Sequence, residues 1–167
     1  PETGAVGAAL FYPDNTIQHA GVVLAMTGIA GHAFRHTPKG KLGYGFRMAT
    51  IKNVTCVTGA CLMMKRKTFE EVHGVDENRA IAFNDIDLCL KVREKELAVV
   101  WTPHAEFTHY ESKTRGAEDT PEKINRFQKE INYFKSKWDK ELIAGDKFYS
   151  PNLDPETETP SIRTTKK

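Results

Sequence analysis

Cysteine is scarce in this sequence. Of 167 residues only Cys56, Cys61 and Cys89 carry thiols, with no CxxC pair and no spacing that would build a disulfide framework. The expectation is buried, reduced thiols of a cytoplasmic protein, with Cys89 a small core residue. An excess of charge of one sign is also lacking: Lys and Arg total 24 against 22 Asp and Glu, a formal net charge of +2. Nucleic-acid binding needs a concentrated basic face, and the basic runs Lys65-Arg66-Lys67 and Lys166-Lys167 read as solvated surface. The same balance argues against a metal nuclease. No apolar run approaches the ~20 residues of a membrane span, and no leader pattern occurs. There is no Walker loop, no dinucleotide glycine fingerprint and no G-x-S-x-G elbow, so phosphate-loop, Rossmann-type and serine-hydrolase readings have no footing.

What is present begins at once. Residues 5–12 form a fully apolar run closed by the turn cluster Pro13-Asp14-Asn15, the pattern of a buried central strand. A chain that starts on such a strand reads as the later part of something longer, and an edge left open there would pair with another copy. A second apolar stretch follows at 16–26, then a Gly-, His- and Lys-rich region at 27–45 with no sustained period, expected as a long surface loop. NVTCVTGACLMM (53–64) is strand-like on both sides of a Thr58-Gly59-Ala60 break, and KTFEEVHG predicts a short helix closed by Gly74. Residues 84–96 predict a helix with Ile86, Cys89 and Leu90 on its apolar stripe, and LAVVW (97–101) a buried strand before the polar, extended TPHAEFTHYES. Thr120-Pro121 signals a helix start, and Ile124, Phe127, Ile131, Phe134 and Trp138 recur at helical spacing as a core-packing face. Beyond 150 the composition is Pro, Thr, Glu and Lys, so residues 151–167 are expected to be disordered and 1–150 to form one α/β domain.

Chemistry has few places to sit. Asp85 and Asp87 open the 84–96 helix, where acids suit the unpaired N–H groups and the dipole as caps, and where one of them could also serve as a base. Two residues apart on a helix, they do not share a face. On a regular strand His104 lies with Glu106 and His109 with Glu111, so the histidines point apart and a two-His chelate would need a bulge. One histidine working with a carboxylate from elsewhere is geometrically easier. Ser112 follows His109 closely but lacks the elbow that exposes a nucleophile.

The blocks GAVGAALFYPDNTIQHAGVVL, NVTCVTGACLMMKRKTFEEVHGVDE, AIAFNDIDLCLKVRE, VVWTPHAEFTHYESKTRG and PEKINRFQKEINYF, in that order and spacing, resemble a family 2 glycosyltransferase of the GT-A fold. The closest likeness is to bacterial members that add rhamnose or related sugars to polysaccharides. The resemblance implies a mixed sheet flanked by helices, the C-terminal part of a GT-A domain that bears the acceptor side and the base. The donor-binding half, with its DxD motif, would precede it. Asp85 matches the general base, with Asn84 where many relatives have Glu; Asp87 keeps a structural role. His109 matches a histidine of the metal or diphosphate site. Thr58-Gly59-Ala60 matches the loop lining the sugar pocket, and Trp101 fits either a place beside the acceptor cleft or a buried structural role. The implied partners are a nucleotide-diphosphate sugar donor, a glycan acceptor and a divalent metal, Mg or Mn, in the complete enzyme. With no QxxRW motif, addition of single sugars with inversion is expected. The competing reading is a non-catalytic module that binds glycan or partner protein.

Overall fold

In a computed structural model that describes residues 2–76, 82–110 and 120–164, the apolar opening run becomes the middle of a sheet. Strand β1 (Thr3–Phe11) is buried almost throughout, which is why its sequence does not alternate. One of its edges carries β2 (Ile17–His19) and, further down, β6 (Leu62–Met64), both antiparallel. The other edge carries β7 (Ala98–Thr108), parallel, and β5 (Lys52–Asn53) pairs antiparallel with β7. The order is β2-β1-β7-β5, a mixed sheet. A parallel pair demands a crossover, and the last element before β7 is helix α2 (Asn84–Glu94), which packs against both β1 and β7. The fold is thus α/β with a mixed sheet flanked by helices, as the resemblance implied. One expectation is corrected: β1 has no open edge, since both sides are hydrogen-bonded, and the outermost strands of the sheet are two or three residues long. Short edges resist pairing between copies.

Row by row, Leu62, Gly7, Trp101 and Lys52 lie side by side across the sheet. A Cβ at Gly7 would sit 2.5 Å from Val57 Cβ, so the glycine is the gap through which residues 54–58 cross the sheet face. Helix α1 (Arg66–Glu71) ends where Gly74, at φ 57°, returns its N–H to the Phe69 carbonyl at 2.8 Å. Helix α3 (Pro121–Ala144) begins as its sequence predicts, with Thr120 Oγ1 accepting from Lys123 N and proline in the first turn. Only the second half of its apolar stripe is buried: Phe134 and Trp138 are in the core, whereas Ile124 and Phe127 are 56% and 41% exposed among the described residues. Phe127 stacks on Phe83, 5.7 Å between ring centroids.

The aperiodic stretch after residue 26 is less loop-like than its composition. It folds β4 (Ala30–His32) against β3 (Val22–Leu24) and buries Ala33, Phe34 and Met48. Its partner is the segment after α3, which runs on into the 151–167 stretch for which composition implied disorder. Asp146 Oδ2 accepts from Leu24 N at 2.8 Å, and the carbonyls of Pro155 and Glu158 accept from Thr27 N and Phe34 N at 3.0 and 2.7 Å. Leu153 is buried, and Leu153 and Ile162 form a bridge. No helix among the described residues is long and apolar enough to cross a membrane.

Candidate functional site

The two aspartates of α2 part company as their spacing requires. The helix starts abruptly, with Phe83 at φ 65° in the N-cap position and no side-chain cap. Asp85 is half-buried in the first turn, where its Oδ1 accepts from Ile86 N at 2.9 Å and its Oδ2 from Gly59 N at 2.8 Å. Asp87 is fully buried on the other side, held by Lys137 Nζ at 2.8 Å, Lys91 Nζ at 3.2 Å and the Trp138 indole N–H at 2.8 Å. Asp87 is therefore the bolt between α2 and α3, and Asp85 is the acid left facing outward.

The chain opposite Asp85 is tightly held. Cys56 accepts Val22 N through its carbonyl at 2.9 Å and donates its Sγ–H to Ile86 O at 3.8 Å. Val57 N donates to Cys89 Sγ at 3.5 Å. Burial and the neighbouring Cys89 push the Cys56 thiol well above its usual range, so it stays protonated and unreactive. Thr58, Gly59 and Ala60 follow as a tight turn, capped by Thr58 Oγ1 accepting from Ala60 N at 3.4 Å. A Cβ at Gly59 would lie 3.3 Å from Asp85 Cβ, so the turn presses directly on the acid. Thr58-Gly59-Ala60 and Asn84-Asp85 are thus brought together.

Trp101 lines a different cleft. It is fully buried, with its indole N–H donating to Ala8 O at 3.1 Å and Lys52 Nζ 4.4 Å from its ring. It forms part of the floor of a cleft of about 290 Å³ whose walls include Phe11, Lys39, His104 and Glu106. This cleft does not reach Asp85 or the 58–60 turn. Strand β7 runs on through the polar TPHAEFT stretch, its register against β1 shifting between Ala8 and Ala9, and His104 and Glu106 line the same cleft. Glu106 pairs with Lys39 Nζ at 2.5 Å. His109 donates its backbone N–H to Phe11 O at 2.8 Å at the strand end, and its Nδ1 is buried with no hydrogen bond among the described residues. That nitrogen is one potential ligand. No three His, Cys, Asp or Glu side chains converge on a cation position among the described residues, so they do not by themselves fit a divalent-metal centre. Glu111 and Ser112 lie outside the described residues.

Residues that the sequence did not single out stand behind the turn. His19, in β2, is fully buried; its Nε2 accepts from Thr58 N at 3.4 Å and its Nδ1 lies 3.1 Å from His32 Nδ1. Burial, then His32 and Lys52, hold His19 well below the usual histidine range. Lys52 donates to Arg47 O at 2.5 Å beneath the Trp101 and Phe34 rings, and burial with Arg47 nearby pushes it down to about 7. The only sequence signal was a His beside apolar residues, Gln18-His19 between Ile17 and Ala20, which also describes an ordinary core histidine.

No family model matches the chain, and no solved structure matches it. It is 49% identical over 154 residues to the uncharacterized protein y4gI of Sinorhizobium fredii (strain NBRC 101917 / NGR234), an alignment covering 92% of this chain and 17% of that protein. It is 41% identical over 123 residues to the O-antigen biosynthesis protein RfbC of Myxococcus xanthus, covering 73% of this chain and 10% of that protein. The chain therefore spans less than a fifth of the length of the curated relatives it matches, and it is similar to one segment of each.

Proposed function

We propose that this chain serves polysaccharide biosynthesis as the acceptor-side, base-bearing part of an inverting glycosyltransferase that uses nucleotide-diphosphate sugars. The reading rests on Asp85: a half-exposed carboxylate at a helix N-terminus, braced by two backbone N–H groups, on the block where the resemblance puts the general base. Similarity to a segment of an O-antigen biosynthesis protein supports the polysaccharide part.

In this reading Asp85 acts as the general base of a single displacement. An acceptor hydroxyl oxygen attacks the anomeric carbon from the face opposite the diphosphate; the new C–O bond forms as the bond to the diphosphate oxygen breaks. The hydroxyl proton passes to an Asp85 oxygen, and the nucleoside diphosphate departs with the bonding pair. Each Asp85 oxygen spends one acceptor position on a backbone N–H, which fixes the carboxylate plane and leaves lone pairs for the incoming proton. A divalent metal is part of the proposal only for the complete enzyme, with His109 as one ligand of several.

The test is Asp85→Asn in the full-length protein. The amide oxygen can still accept from Gly59 N or Ile86 N, so folding persists while the base is gone. Nucleoside-diphosphate release from a panel of nucleotide-diphosphate sugars, with a glycan acceptor, should fall by about 10²–10⁴-fold, the span of general-base catalysis. Unchanged turnover would remove Asp85 from this role and leave the glycan-binding module as the better account.

A further inference from the structure

We propose that His19 is a positioning residue for Asp85: a neutral, two-ended hydrogen-bond relay that runs from His32 through His19 to the 58–60 turn. The proposal rests on the glycosyltransferase reading for its catalytic consequence, and on hydrogen bonding alone for the relay itself.

The proton positions follow from one fixed donor. A backbone amide can only donate, so the Thr58 N–H at 3.4 Å makes His19 Nε2 an acceptor. Neutral imidazole has one protonated nitrogen, so His19 carries its proton on Nδ1. That proton faces His32 Nδ1 at 3.1 Å, which must then accept, leaving the His32 proton on Nε2. The rings meet edge-on at 76°, and His19 is fully buried, so neither partner can be replaced by bulk water without opening the core. His32 in turn is anchored by its own backbone N–H, which donates to Glu158 Oε1 at 3.2 Å. The next amide along the turn, Gly59 N, is the one that braces Asp85 Oδ2 at 2.8 Å. The Thr58 and Gly59 amides lie in consecutive peptide planes joined at the Thr58 Cα, held at φ −73° and ψ 142°, so anchoring the first narrows the swing of the second and of the carboxylate it braces. Polarity is the point of the design. A phenylalanine at 19 would fill the space and leave Thr58 N–H without its acceptor, whereas glutamine offers an acceptor oxygen and a donor nitrogen.

The experiment uses the full-length protein and two readouts. Hydrogen exchange read by mass spectrometry over residues 57–60 should speed up by about tenfold in His19→Phe, and His19→Gln should restore protection. Nucleotide-sugar turnover should show kcat lower by about tenfold in His19→Phe, with the donor KM unchanged, and recovery in His19→Gln. If His19→Phe does not fold, His19→Met against His19→Gln makes the same comparison at similar side-chain length, since the methionine thioether is only a weak acceptor for the Thr58 N–H and glutamine offers a strong one. Faster exchange in His19→Met than in His19→Gln supports the relay. Unchanged exchange in His19→Phe overturns the relay, and faster exchange with unchanged kcat overturns its positioning role. Should Asp85→Asn retain turnover, the glycosyltransferase reading fails on its own, while the exchange result still decides the relay.

Discussion

Asp85 and Asp87 are chemically the same residue with opposite assignments, and geometry separates them. Asp85 has backbone donors and an outward face; Asp87 has two ammonium groups, an indole and no solvent. A buried carboxylate persists only where its charge is matched. Replacing Asp87 by alanine strands Lys137, Lys91 and the Trp138 N–H together. Breaking a buried pair from one side costs about 3–5 kcal/mol, and because Lys91 and Lys137 are 16% and 31% exposed and can turn to water, the lower end applies. Urea unfolding should thus show Asp87→Ala less stable by about 3 kcal/mol, with Asp87→Asn retaining the indole bond and losing less. A loss under about 1 kcal/mol, the scale of an exposed pair, would mean the bolt between the helices is not made. The sequence did reveal that these acids diverge, since helical geometry alone dictates it. It did not reveal which one faced inward, because Lys137 and Trp138 approach from fifty residues away.

At the scale of elements, legibility tracks how local the cause is. The start of α3 was readable because Thr120, Pro121 and the spaced apolar residues all lie within the helix. The exposed Ile124 and Phe127 were not, since periodicity reports a face but not whether anything packs against it. The 27–45 stretch and the residues after 150 looked structureless separately; they hold each other through hydrogen bonds that span more than a hundred residues. The same holds for the candidate site, where the acid was visible and the turn that braces it was visible, but not the bond between them. The crossing of 54–58 over β1 carries the next prediction. Gly7→Ala drives a methyl to 2.5 Å from Val57 Cβ and Cγ1, on a strand that pairs on both edges and cannot retreat. Overpacking of this kind costs about 1–3 kcal/mol. Val57→Gly alone loses core volume but removes both the Cβ and the Cγ1 that the new methyl meets, and the two together should be more stable than the sum of the single losses predicts. A thermodynamic cycle by urea unfolding checks it: additive losses would mean that Gly7 is not the gap for Val57.

For the whole molecule, the buried titratable groups set a stability profile whose sign can be worked out group by group. Lys52 has a usual value of 10.5 and is pushed to about 7 in the folded state. Between those values the unfolded chain holds a proton that the folded chain has released, so stability rises with pH across the window. His19, lowered from 6.5, has the same sign: below that value the unfolded chain takes up a proton that the core refuses, and stability falls on acidification. Cys56 is opposite. Its usual value is 9.0 and burial raises it well above, so beyond pH 9 the unfolded chain loses a proton that the folded chain keeps, and stability falls as pH rises. Tyr149, raised from 10.0, adds to that decline. Glu2 and Asp14 are lowered and lose their contribution in acid, but both are exposed and their effect is screened. The terms together carry the rise to about pH 9, where the Cys56 thiol begins to offset Lys52, and place the maximum at about pH 9–10, higher than an acid-limited domain with no buried lysine would have. Urea midpoints measured from pH 6 to 10 should climb between 7 and 9. Lys52→Met, which keeps an unbranched apolar stem under Trp101 and Phe34, should remove that climb while leaving the loss below 6.5 in place. A wild-type midpoint that is flat from pH 7 to 9, or a climb that survives in Lys52→Met, would show that the Arg47 carbonyl and the two aromatic faces keep the ammonium charged in the fold, so that burial does not decide its state.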